Sequence, residues 1–393
     1  MSQQLINHSH DLQRLQVEGY DVEIRANYLL IKNVPYVDSN KEIRYGTLVS
    51  ELSLAGDITT IPSTHVVRFA GGYPCHKDGS EIDKIRHQSN REKLFDDLDV
   101  HHSFSSKPEG GYKNYHDKMT TYVAIISSPA QSLNSNVTAK IFPVFESKDE
   151  ETVFNYIDTA SSRARINVVT RKLELEKIAI VGLGGTGSYV LDLVAKTPVK
   201  EIHIFDGDKF LQHNAFRSPG APSVEELRTA SLKVNYFKNL YSKMRQGIVP
   251  HAFYIDESNV AQIGGVDFVF LCLDSGRSKK IIIETLEATN TPFVDVGMGI
   301  NLVEESEALI GVLRVTSSTP GQRMHVRNRI SFSDDENNNA YSQNIQIADL
   351  NALNAALAVV KWKKLFNFYM DFDKEHHSTY TIDGNMLTNE DKP

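Results

Sequence analysis

The residues with the clearest capacity for chemistry lie in the second half of the chain. Gly182, Gly184, Gly185 and Gly187 fall within one short run, Gly-Leu-Gly-Gly-Thr-Gly. The run follows an apolar segment, Lys177 to Val181, and precedes GSYVLDLVAKT, which reads as a helix. In that setting glycines make a tight turn and let backbone N–H groups approach a phosphate at the helix N-terminus. Gly185 is one glycine more than the GxGxxG spacing requires. Asp206 ends the next apolar segment, where a carboxylate can accept hydrogen bonds from ribose hydroxyls. These residues predict a nucleotide site. Up to this point an NAD(P)-dependent oxidoreductase fits as well as an ATP-using enzyme.

The elements around these residues alternate regularly. KIAIVG and EIHIFD read as strands, and the stretch from Pro222 to Met244 reads as helical. DFVFLCLD is a third apolar strand, SGRSKKIIIETLEAT a helix, PFVDVG a fourth strand and ALIGVLRV one more. Ala348 to Phe368, which holds the only tryptophan, reads as a long closing helix. Near-continuous apolar strands separated by helices predict a mostly parallel sheet covered on both faces, an α/β doubly wound fold of Rossmann type. The first part of the chain differs. Tyr28 to Ile31 and His65 to Phe69 read as short strands separated by turn residues such as Val34-Pro35 and Gly71-Gly72. His101 to His116 reads as an exposed loop. Met119 to Ser127 is either helix or buried strand, and Glu151 to Ser161 reads as an amphipathic helix. The expected division is a smaller, strand-rich α+β domain over 1–165 and a nucleotide-binding domain over 166–393.

The continuation after Asp206 separates the readings. Asp206-Gly207-Asp208 is followed by Asn214 and Arg217, giving D-G-D-x-x-x-x-x-N-x-x-R. Lys233 follows in the helical stretch, then Leu273-Asp274 with Arg277 three residues on, then IADLNALNAALAVVKWKKL. This ordered set resembles the ubiquitin-activating superfamily, the ThiF, MoeB and HesA type of adenylating protein, over roughly 166–370. The resemblance implies ATP-dependent adenylation of a C-terminal carboxylate, of a ubiquitin-like protein or peptide, with Mg²⁺ as cofactor. It implies Asp206 on the ribose, Arg217 and Lys233 on the triphosphate, Asn214 orienting the phosphates and Asp274 holding Mg²⁺. Asp208 belongs to the same loop and alternatively caps the following turn. The physics agrees, because a carboxylate attacking the α-phosphate builds negative charge that fixed cations and a metal stabilise. The resemblance further implies a homodimer, a conjugating-enzyme partner, and an upstream arginine, Arg163 or Arg165, that completes a partner's ATP site.

The chain also departs from that pattern. No cysteine follows Leu273, and the two CxxC pairs that hold zinc in many relatives are missing, so no zinc is expected. Cys272 reads as a core thiol. Cys75, with His76 and Lys77 beside it, is the remaining candidate for a thioester, since adjacent cations can lower a thiol pKa. Adenylation alone, a thioester on Cys75, and direct transfer to another protein stay open. A non-catalytic nucleotide-binding scaffold is a further alternative, against which Asp206, Asn214, Arg217 and Asp274 count. The 393 residues carry 40% apolar residues and a net charge of -8, which suits a globular protein and disfavours nucleic-acid binding. No apolar stretch is long enough to span a bilayer, no secretory signal is visible, and two isolated cysteines fit a reducing cytoplasm. The first domain is expected to recruit the substrate or a downstream carrier.

Overall fold

The computed structural model describes residues 2–56, 58–144, 152–156, 158–164, 166–332 and 345–392. The chain forms two compact units, Met1–Phe145 with Asp158–Ala164, and Glu146–Ile157 with Arg165–Pro393.

The first unit is built on six antiparallel strands: β1 (Asp21–Arg25), β2 (Tyr28–Val37), β3 (Ile43–Glu51), β4 (Val66–Ala70), β5 (Arg86–Gln88) and β6 (His102–Ser105). Their order in the sheet is β1-β2-β3-β4-β6-β5. The segment expected as a loop therefore contributes β6, whose Phe104 is fully buried. Its polar composition misled because Ser103 and Ser105 alternate with Phe104 on the opposite face of the pleat, and His102, on the same face, stacks near the Phe104 ring. The ambiguous segment belongs to helix α1 (Tyr115–Leu133). Tyr115, Met119, Tyr122, Val123, Ile126 and Ala130 recur at helical spacing and are buried, and Asn114 caps the helix by accepting the Asp117 N–H at 2.8 Å. The helix expected over 151–161 is confined to Thr159–Ala164; Phe154 instead bridges to Arg245 in extended form.

The second unit contains one eight-stranded sheet. Its strands are β7 (Lys177–Val181), β8 (Glu201–Phe205), β9 (Ile248–His251), β10 (Phe268–Leu271), β11 (Phe293–Val303), β12 (Ala308–Ser318), β13 (His377–Thr381) and β14 (Met386–Glu390). The order is β9-β8-β7-β10-β11-β12-β13-β14; the first five are mutually parallel and the rest antiparallel. Alternate residues explain the continuous apolar runs. Ile178, Ile180, Ile202, Ile204, Phe268 and Phe270 pack on one face against α2 (Gly185–Ala195), α5 (Lys233–Tyr241) and α7 (Ala348–Leu365). Ala179, Val181, Phe205, Val269 and Leu271 pack on the other against α6 (Gly276–Ala288). The fold is thus α/β and doubly wound. β9 is short and holds Pro250, which an edge strand tolerates.

The helical stretch from Pro222 is two helices. α4 (Val224–Thr229) starts with a Ser223/Glu226 capping box and ends at Ala230, which is left-handed at φ 44°. Leu232 then bridges to Lys209, and α5 begins at Lys233. Trp362 of α7 is fully buried against Phe268, Phe270 and Phe366. Trp362→Ala is expected to cost about 3–5 kcal/mol in urea unfolding; a loss under about 1 kcal/mol would contradict this packing.

Candidate active site

Strand order places a crevice between β7 and β10, where the crossovers reverse direction, and open α/β sheets bind ligands at that point. A cleft of about 410 Å³ lies there, at the carboxyl ends of the parallel strands. Gly182, Gly184, Asp206, Asp208, Arg217, Lys233 and Asp274 all line it. Sequence positions up to 92 residues apart are therefore brought together by the ends of β7, β8 and β10 and the start of α5.

The glycines divide their tasks. Gly182 sits at φ 88°, and a Cβ there would lie 2.5 Å from the Cys272 carbonyl oxygen. A Cβ on Gly187 would collide with the Gly182 carbonyl, so this glycine lets α2 pack against the loop. Around Gly184 there is open space, which leaves its backbone approachable by a ligand. Gly185, by contrast, is packed under the side chain of Asn351 and does not line the cleft.

Asp206, 6% exposed, is a staple between loops. Its Oδ2 accepts the Leu183 N–H at 2.7 Å and its Oδ1 accepts the Asp208 N–H at 2.8 Å. Lys233, 5% exposed, donates to Asp208 Oδ2 at 2.7 Å and lies 3.5 Å from Asp206 Oδ2. The Lys233 N–H bonds the Asp208 carbonyl at 2.9 Å, so the first turn of α5 is pinned to the same loop. Tyr254 donates its hydroxyl to Asp208 Oδ1 and spreads its ring over Gly207. That bond pushes the phenol up to about 12. Burial alone would raise the Asp208 carboxyl, but the Lys233 ammonium and the Tyr254 hydroxyl outweigh it and hold the group below the usual carboxylate range.

Arg217 follows the short α3 (Gln212–Ala215). Asn214 is buried, and its Oδ1 accepts the Leu211 N–H at 2.8 Å. It does not line the cleft, and its side chain shapes the turn that carries Arg217. Arg217 Nε is buried with no hydrogen-bond partner among the described residues, and so is the Oε1 of Gln346. Both residues line the cleft, one supplying a donor and the other an acceptor. Asp274 is exposed there, just beyond β10.

Cys75 belongs to the first unit and is 1% exposed. Burial pushes its thiol up, and the Asp38 and Asp78 carboxylates add to the rise, so the neighbouring cations do not activate it. A buried thiol so placed weighs against the thioester alternative. Cys272 follows β10, and burial likewise pushes its thiol up. Arg165 and the Arg163 side chain lie outside the described residues.

Tyr254, Gln346 and Asn351 were not singled out from the sequence. Asn351 had a signal: with Asn354 it interrupts an otherwise apolar helix face at i, i+3, and both are buried. Tyr254 had none, because it lies in the loop after an edge strand that the sequence did not reveal.

Because the Asp208 pKa is depressed, its contribution to stability is present above the ordinary carboxylate range and is lost as pH falls through the lowered folded value. Lys233→Met leaves burial unopposed by the ammonium, and the Asp208 carboxyl should titrate at higher pH in a carboxyl NMR titration. An unchanged titration would show that the pair is not formed.

Residues 148–382 match the ThiF family, and residues 10–159 match a domain of unknown function (DUF6791). No curated protein matches the chain. Among solved structures the chain is similar to E. coli MccB with MccA-N7isoASN, at 17% identity over 60% of this chain and 69% of that one, TM-score 0.48. It is also similar to E. coli MccB with ATP, at 18% identity over 57% and 66%, TM-score 0.44. PaaA is similar at 16% identity over 57% and 75%, TM-score 0.44. Among the described residues no helix is long and apolar enough to cross a membrane. The ThiF match covers well over half of the sequence, and the chain belongs to the ThiF family.

Proposed function

We propose that the second unit uses magnesium–ATP to adenylate the C-terminal carboxylate of a ubiquitin-like protein or peptide. ThiF membership supports an adenylyltransferase-type, nucleotide-binding enzyme. The observation that carries the reading further is Arg217, whose buried Nε lacks a partner among the described residues, in a cleft floored by the open backbone of Gly184. A buried guanidinium N–H without a partner costs about 1–3 kcal/mol or more, and an anion removes that cost.

In this reading a carboxylate oxygen of the substrate attacks the α-phosphorus. The bond from that phosphorus to the bridging oxygen breaks, and pyrophosphate leaves with the electron pair. Arg217 and the N-terminus of α2 counter the charge that gathers on the phosphoryl oxygens. Lys233 offsets one of the two negative charges of Asp206 and Asp208, which lessens their repulsion of the phosphates, and it lines the cleft. Each oxygen of Asp206 accepts one backbone N–H, and a second lone pair on Oδ1 is the acceptor for a ribose hydroxyl. Asp274 suits magnesium, which keeps few protein ligands and takes its other oxygens from phosphates and water. When bound, the metal supplies charge neutralisation of the phosphate oxygens. A homodimer, delivery to a conjugating enzyme, and recruitment of substrate by the first unit complete the reading.

ATP–pyrophosphate exchange against proteins and peptides ending in glycine tests it. Wild-type chain should exchange, and Arg217→Ala and Asp274→Ala should each lose about 100-fold or more. Exchange that survives both substitutions unchanged would remove the assignments, and no exchange with any carboxylate would favour a scaffold.

A further inference from the structure

The extra glycine of the loop, Gly185, has no part in the cleft, and the residue packed over it explains why. Asn351, on α7, is 1% exposed. Its Oδ1 accepts the Thr186 hydroxyl at 3.0 Å, and its Nδ2 donates to the Arg217 carbonyl at 3.3 Å. A Cβ on Gly185 would fall within the Asn351 amide group itself. One buried amide thus bridges the glycine loop and the turn that carries Arg217, two segments that do not otherwise follow one another in the chain. A buried amide is held where its donors and acceptors are satisfied, which makes the bridge a fixed spacer. Arg217 has no partner at Nε among the described residues, so the position of its backbone decides where its charge stands in the cleft.

We propose that Asn351 is a positioning residue of the nucleotide site: it sets the Arg217 turn against the glycine loop, and Gly185 is glycine in order to admit it. The identity of the ligand rests on the adenylation reading above; the bridge itself rests on the packing.

Asn351 contributes no atom to the cleft lining, so its effect on the nucleotide must pass through Arg217 or the glycine loop. The test is a double-mutant cycle on affinity for a fluorescent ATP analogue with magnesium, using the full chain. Asn351→Ala should weaken binding roughly tenfold, the equivalent of one buried hydrogen bond. In an Arg217→Ala background the same change should cost less than about twofold, because the residue it positions is gone. Equal losses in both backgrounds, or no loss in either, overturn the proposal. If Asn351→Ala does not fold, Asn351→Ser, too short to bridge both partners, serves the same cycle. A second measurement is independent of any ligand. Gly185→Ala should lower the melting temperature in the wild-type background and cost little more once Asn351 is alanine; an equal cost in both overturns the role given to Gly185. Failure of the wild-type chain to bind the nucleotide would overturn the adenylation reading, while the melting comparison would still decide the packing claim.

Discussion

The carboxylate of Asp206 is the constraint on which the site depends. It is nearly buried, and it accepts backbone N–H groups from two different loops, Leu183 in the glycine loop and Asp208 in the loop after β8. Removing it would leave the buried Leu183 N–H unpaired, at about 1–3 kcal/mol, and would free the glycine loop from the neighbouring strand end. Lys233 makes the arrangement tolerable electrostatically, since two carboxylates so close together need a cation between them. The sheet puts these groups where they can meet: β7 and β8 are adjacent and parallel, so both loops leave the same edge.

The rest of the cleft follows from close approach. Gly182 and Gly187 let the loop, the start of α2 and the end of β10 share a space in which a Cβ would collide with backbone. Gly184 faces open space on the side from which a phosphate would come. Around it stand a buried arginine donor and a buried glutamine acceptor without protein partners among the described residues, which is the polarity that a nucleotide would complete. Tyr254 adds a partly exposed ring at the mouth, tied down through Asp208.

The parallel half of the sheet was legible because every strand there is buried on both faces, and a run such as FVFL cannot be mistaken for a loop. The glycine loop, Asp206, Asp208, Arg217, Lys233 and Asp274 were legible because their spacing is fixed by strand ends, and the structure gathers them in one cleft. What a motif could not convey was the partner of each side chain. Asn214 turns inward to cap its own turn, and Asp206 is occupied by backbone. Asn351 acts from 134 residues beyond the carbonyl it bonds, a relation no local pattern encodes. Strands were missed where the usual signs were weak: β9 is brief and contains Pro250, β6 alternates Phe104 with serine, and β13 and β14 are polar strands joined across Asp383-Gly384-Asn385. The sequence neighbours of Cys75 are cationic, whereas the charges that act on its thiol are the Asp38 and Asp78 carboxylates, which no local pattern conveys.

The central claim is that this cleft holds a triphosphate and not a dinucleotide. Titration of the wild-type chain with magnesium–ATP and, separately, with NAD⁺ in a calorimeter tests it most directly. The account predicts saturable heat with magnesium–ATP and none with NAD⁺. Tight uptake of NAD⁺ with no heat from magnesium–ATP would contradict it.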